Sequence, residues 1–166
     1  MDPLQTIGAF EVTGLPLHPL LVHAVVVLAP LTALALILGS IWPAARRRLG
    51  IVTPLAALLL VALVPVTVAA GQALSEVLGP APAIDTHSGY GRMLLPWVIG
   101  MFLVAAAQWA WFRWGAQRTT DAGPRRRRAV PIVLAVLAVG LGVGTTVMVA
   151  LIGDSGARAV WGGILG

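Results

Sequence analysis

Long apolar runs without charged residues dominate the pattern of hydrophobic and polar positions along the chain. Four of these runs contain no Asp, Glu, Lys or Arg and are long enough to cross a bilayer, which takes about 20 residues. The pattern predicts an all-α fold, a four-helix transmembrane bundle within a single integral membrane domain that covers residues 1–166. The predicted spans are approximately 19–42, 51–78, 86–114 and 129–153.

The composition strengthens this interpretation. Hydrophobic residues make up 58% of the chain and charged residues 10%, whereas a soluble domain carries about 25% charged residues. The chain has no cysteine, which excludes disulfides and thiolate ligation of zinc or iron–sulfur clusters by its own residues. The first 17 residues carry Asp2 and Glu11 and lack a basic segment, so we expect no cleaved signal peptide.

The net charge of +5 comes from arginines that cluster in two predicted loops. The loop arginines are Arg46, Arg47, Arg48, Arg113, Arg118 and Arg125–Arg128. Short arginine-rich loops stay in the cytoplasm. We therefore expect a multi-pass protein of the plasma membrane with both termini on the extracytoplasmic side. Orientation and contact with anionic lipid explain the basic charge, so no nucleic-acid partner is expected.

The three histidines all fall at the predicted outer edge of the bundle. His18 and His23 stand at the start of the first span, and His87 stands at the start of the third. An imidazole at the edge of a membrane span is costly unless it has a partner, a ligand or water. The inner halves of the spans contain no ionisable residue, which argues against an ion path across the membrane.

A weak internal repeat relates the two halves of the chain. Each half begins with a histidine and has a proline 7 or 9 residues later, Pro30 after His23 and Pro96 after His87. The halves have the same orientation, so the pseudo-axis would run along the membrane normal. This register places His23 and His87 opposite each other.

The first hypothesis is a b-type haem protein that serves electron transfer at the outer face. His23 and His87 would be the axial ligands, because helical bundles hold haem with histidines from facing helices. His18 would be a further cofactor contact, and Arg92 and Arg158 would pair with the propionates. The electron partner would be a quinone or a redox protein on the outer side.

The sequence does not decide whether the protein is an enzyme. Two other interpretations remain open, and the first is a metal-binding membrane protein. His23, His87 and Asp154 are an acceptable ligand set for zinc or copper. His18 could join this set only through a helix break at Pro19, because residues five apart diverge by about 140° on a helix.

The last interpretation is an accessory or structural subunit of a membrane complex. Here His18 would cap a helix, His23 would hydrogen-bond a neighbouring helix and His87 would be hydrated. Gly140 and Gly144 are spaced for close helix packing, either inside the bundle or in a homo-oligomer.

The run LPLHPLLVHAVVVLAPL, which begins at Leu15, resembles the opening of the bacterial membrane-protein family catalogued as domain of unknown function 2231. The motif is HP-x-x-VH, here His18 to His23, and the ending GDSGARAVWGG resembles actinobacterial members. The resemblance implies the four-span layout and, because relatives occur fused to Rieske-type domains, a redox setting. Some members have another histidine after the last span, where this chain has Asp154 and Arg158. That departure weakens a four-ligand metal site more than a two-ligand haem.

The arginine distribution predicts the orientation, and the absence of native cysteine makes it testable. An impermeant thiol reagent applied to intact cells should label Ala81→Cys and Gly163→Cys, and should leave Asp121→Cys unlabelled until the membrane is permeabilised. The reverse pattern would place the histidines on the cytoplasmic side and contradict the assignment.

Overall fold

The structure, a computed structural model, describes residues 11–12, 15–79, 81–115 and 123–165, with side chains for 16–79, 81–115 and 128–162. Two short strands, β1 (Glu11–Val12) and β2 (Leu15–Pro16), pair antiparallel before the first helix. Several residues used above lie outside the described part of the chain: Asp2 and Arg118, and the side chains of Glu11 and Arg125–Arg127.

Helices make up almost all of the described chain. They are α1 (Leu17–Ile41), α2 (Pro43–Leu49), α3 (Val52–Leu78), α4 (Pro82–Ala110, continued by a π-helical turn at Trp111–Gly115) and α5 (Gly123–Leu165). The described residues contain four helices, α1, α3, α4 and α5, that are long and apolar enough to cross a membrane. The predicted four-helix transmembrane fold is confirmed.

The four long helices form a bundle in which α1 and α4 lie on a diagonal. Helix α1 packs mainly against α3 and α5, and helix α4 packs mainly against the same two helices. Helices α1 and α4 begin, and α3 and α5 finish, at the end of the bundle that we call the histidine end. The opposite end, which holds Arg46 and Arg113, is the arginine end.

The core repeats between the two halves of the chain, which supports the predicted pseudo-twofold relation. In α1 and α4, buried residues coincide at an offset of 69 positions: Val25 with Leu94, Ala29 with Val98, and Leu36 with Ala105. In α3 and α5 the offset is 85 positions: Leu60 with Thr145, Val64 with Val149, and Thr67 with Ile152. At the α1–α4 offset the residue equivalent to His87 is His18, so the predicted register, which paired His87 with His23, is wrong.

Helices α1 and α4 are in contact at the arginine end. The Gln108 side-chain amide on α4 donates to the Ser40 hydroxyl on α1 at 2.6 Å. Arg46 donates to the carbonyls of Gly39 and Ser40, and its guanidinium lies 3.4 Å from the centre of the Phe112 ring. Desolvation by burial lowers the pKa of Arg46 from its ordinary value. These contacts satisfy the last carbonyls of α1 and hold it against α4.

Three helix boundaries differ from the prediction by four residues or more. Helix α4 begins at Pro82, not at residue 86, and helix α5 begins at Gly123, not at residue 129. Proline suits the first turn of a helix. Helix α5 does not end at Gly153 but continues to Leu165. Asp154 and Arg158 form an i, i+4 salt bridge across the predicted break, and such pairs support helix.

Two glycines of α5, Gly142 and Gly144, pack against neighbouring helices inside the bundle. A Cβ atom at Gly144 would overlap the ring of Trp97, and a Cβ at Gly142 would lie 3.0 Å from Ile37. Gly140 is exposed, and a Cβ there would meet nothing within 4 Å. Of the predicted Gly140/Gly144 pair, therefore, only Gly144 accommodates a neighbouring helix.

Gly144→Ala should destabilise the bundle by about 1–3 kcal/mol, because the added methyl group must displace the Trp97 ring. Gly140→Ala is the matched control and should be neutral or stabilising by about 0.5–1 kcal/mol, since alanine is the better helix former. Thermal unfolding of both variants in the same detergent measures the difference. Equal melting temperatures for the two variants would contradict this packing.

Candidate functional site

A cavity of about 570 Å³ opens among the four long helices at the histidine end. This volume lies within the range of about 300–1,000 Å³ typical of small-molecule and cofactor sites. The walls are mostly apolar, and the lining that the described residues form includes no Asp, Glu, Lys or Arg. All three histidines line the cavity, so the predicted cluster of imidazoles exists.

His18 is held by helix α3, its neighbour within the first half of the chain. It lies half-buried in the first turn of α1, and its Nδ1 is 2.9 Å from the carbonyl oxygen of Thr67. A carbonyl can only accept a hydrogen bond, so Nδ1 carries a proton and donates it. The ring rests on Gly71, where a Cβ atom would lie 2.7 Å from the ring Cε1.

His87 is held in the same way by helix α5. Its Nδ1 lies 3.1 Å from the carbonyl oxygen of Ile152 and 3.3 Å from the Ser155 hydroxyl. The Ser155 hydroxyl donates to the same carbonyl at 3.0 Å, so its oxygen is available to accept from the ring. The ring rests on Gly156, where a Cβ would lie 3.1 Å from Cε1.

The two held rings meet at the centre of the bundle. The centroids of the His18 and His87 rings are 6.0 Å apart, and the ring planes are nearly perpendicular at 85°. Within the described part of the chain, no hydrogen bond reaches Nε2 of either ring. In a neutral ring protonated on Nδ1, Nε2 carries a lone pair. One apolar cavity therefore contains two imidazole lone pairs available to a ligand.

His23 lines the cavity but is placed differently. Its side chain is exposed, and its Nδ1 donates to the carbonyl of Pro19, one turn earlier in its own helix, at 2.6 Å. The ring contact of His87 is with His18. The structure therefore brings His18 and His87 together as equivalent residues and leaves His23 on the wall beside them.

The predicted charged contacts lie outside the lining. Arg92 is exposed and directly follows Gly91, which lines the cavity. Arg158 lies between two lining residues and binds Asp154 at 2.9 Å, with the two side chains 74% and 59% exposed. Neither arginine lines the cavity, and Arg158 already has a carboxylate partner.

A three-ligand metal site is not assembled by the described residues. No group of three or more His, Cys, Asp or Glu side chains lies close enough among them to hold a metal ion. Asp154, the predicted carboxylate ligand, is engaged by Arg158 on an exposed face of α5. The structure thus does not bring His23, His87 and Asp154 together as a ligand set.

The residues that hold the rings were not recognised in the sequence. They are two residues whose main-chain carbonyls accept the ring N–H bonds, Thr67 and Ile152, and two glycines, each four positions after its carbonyl, Gly71 and Gly156. Main-chain acceptors leave no side-chain signature. The 85-residue offset between Gly71 and Gly156 is the signal that could have identified them.

Fold and cavity together define a multi-pass helical membrane protein with a histidine-lined cavity at one end. Its sequence assigns it more closely: residues 14–166 match the family described as Predicted membrane protein (DUF2231), and the chain belongs to that family. No curated protein and no solved structure matches the chain significantly.

Proposed function

We propose that the protein binds one b-type haem and serves electron transfer, with His18 and His87 as the axial ligands. The separation of the two rings, 6.0 Å between centroids, carries the proposal. Two imidazoles that share one iron have ring centres roughly 6 Å apart, because each metal–nitrogen bond is about 2.0 Å and each nitrogen lies about 1.1 Å from its ring centre. The spacing between the rings is the spacing of such a pair.

The hydrogen bonds of the two rings support the same assignment. A histidine that ligates a metal donates its other ring N–H to a carbonyl, a carboxylate or water, which fixes the tautomer and the ring orientation. His18 and His87 each donate Nδ1–H to a helix carbonyl, which leaves Nε2 as the ligand atom. The donor set therefore fits a haem iron with two axial imidazoles.

The remaining lining fits an apolar macrocycle. Haem would supply one-electron transfer when bound. The apolar walls of the cavity would exclude water from it, and Val68 and Gly91 are among the residues that would line it. Arg92 and Arg158, each of which directly follows a lining residue in the sequence, are the cations that we propose for the propionates.

A single haem at one end of the bundle needs an electron partner at that end. The described inner half offers no second pair of histidines, so the chain would not carry electrons across the bilayer by itself. We propose a quinone or a redox protein as the partner, on the extracytoplasmic side if the arginine loops face the cytoplasm.

The absorption spectrum of protein expressed with haem supplied tests this function. His18→Ala and His87→Ala should each abolish the low-spin spectrum, because each removes one axial ligand. His23→Ala is the matched control and should retain it, because His23 donates to its own helix. Loss of the spectrum in His23→Ala with retention in His18→Ala would restore the pairing of His23 with His87.

Purified protein without a Soret band would overturn the haem proposal. Zinc or copper found instead by elemental analysis would favour a metal-binding protein, and the absence of haem, zinc and copper would favour an accessory subunit.

The two arginines should differ in their effect on haem retention. Arg92→Gln should weaken retention more than Arg158→Gln, since Arg158 is already paired with Asp154. Both effects should stay below about tenfold, because exposed ion pairs contribute about 0–1 kcal/mol. Haem transfer to apomyoglobin measures the retention. A larger effect from Arg158→Gln would mean that its salt bridge opens when haem binds.

A further inference from the structure

We propose that Gly71 and Gly156 are positioning residues for the two central imidazoles. Each glycine provides the space in which one ring lies, so that the ring reaches a carbonyl four residues earlier on the same helix. The inference concerns the ring positions themselves, and its relevance to haem rests on the proposed function.

An imidazole ring is the group closest to each glycine. A Cβ at Gly71 would lie 2.7 Å from Cε1 and 2.9 Å from Nδ1 of His18, closer than real Cβ atoms come. At Gly156 the corresponding distances to His87 are 3.1 and 3.2 Å. At both positions the three nearest atoms are imidazole atoms, so it is the rings that come closest to these glycines.

The same arrangement occurs in both halves of the chain. His18, the Thr67 carbonyl and Gly71 in the first half correspond to His87, the Ile152 carbonyl and Gly156 in the second. Small residues are not required everywhere at this end of the bundle. A Cβ at Gly89 or Gly153 would meet nothing within 4 Å, although Gly89 is two residues from His87 and Gly153 lines the cavity.

A methyl group at either glycine should therefore act on one ring and spare the other. The ring would have to shift away from its helix, which lengthens the hydrogen bond from Nδ1 to the carbonyl. Without that bond the proton is no longer fixed on Nδ1, and Nε2 is no longer fixed as the free lone pair. The displacement should be larger at Gly71, where the contact is closer.

Nitrogen NMR of histidine-labelled protein tests the inference without any cofactor. The chain has three histidines, so each signal can be assigned by replacing one histidine at a time. In spectra recorded at pH 8, the wild-type His18 and His87 should both show the proton on Nδ1, because that nitrogen donates to a helix carbonyl in each ring. Gly71→Ala should convert His18 to the averaged signals of a ring that exchanges tautomers, while His87 stays unchanged. Gly156→Ala should do the reverse.

Gly89→Ala and Gly153→Ala are the matched controls and should leave both rings protonated on Nδ1. If Gly71→Ala fails to insert, Gly156→Ala, with its longer contacts, decides the question. Two results would overturn the inference. One is that His87 retains its Nδ1–H signal in Gly156→Ala, and the other is that His18 and His87 of the wild type are not protonated on Nδ1.

The haem readout separates this inference from the proposed function. If haem is bound, Gly71→Ala and Gly156→Ala should each weaken its retention by about 10–100-fold, the range seen when the hydrogen-bond partner of a metal ligand is lost. The expected tautomer changes in a protein that never binds haem would support the positioning role and contradict only the haem proposal.

Discussion

An imidazole among transmembrane helices needs an acceptor for its N–H, and here a helix carbonyl is that acceptor. The bilayer interior offers no water to a polar group, so an unpaired ring would cost several kcal/mol. His18 and His87 meet this requirement through Thr67 and Ile152. Because an α-helix carbonyl is surrounded by its own side chains, a ring can approach it only where the facing residue is small. The ring that makes this hydrogen bond lies over the residue one turn later in the helix. At both sites that residue is a glycine, Gly71 or Gly156.

The diagonal contact between α1 and α4 follows from this placement of the rings. Each ring is held within its own half of the chain, yet the two ring centroids lie only 6.0 Å apart. At the arginine end the same two helices meet through Ser40 and Gln108. A shift of one residue between α1 and α4, about 1.5 Å along the helix axis, would disturb the hydrogen bond at one end and the ring pair at the other. The separation of the rings is therefore a property of the whole bundle.

The spans could be predicted because hydropathy and backbone satisfaction leave few alternatives to a helix in lipid. The pairing of the histidines could not, since it depends on the residue at which α1 begins. The motif HP-x-x-VH placed His18 before the helix and so favoured His23 as the deeper ligand. In the structure α1 begins at Leu17, and this start brings His18 level with His87. The extension of α5 past Gly153 was missed for a similar reason. The sequence Gly-Asp-Ser-Gly is typical of a turn, but Ser155 and Gly156 contact His87 and so belong to the packed helix.

The two halves differ in several residues beside the rings, and at one position the difference concerns a hydrogen bond to the ring itself. Ser155 shares the N–H of His87 with a carbonyl, whereas the equivalent residue near His18 is Ala70, which has no hydroxyl. Two identical hairpins that assembled as a homodimer would have carried identical ring environments, because a symmetric dimer cannot change one side alone. A single chain that carries both hairpins is free of that restriction. Ser155 uses that freedom: it gives the N–H of His87 a second acceptor beside the helix carbonyl, so the two rings are not held in identical surroundings.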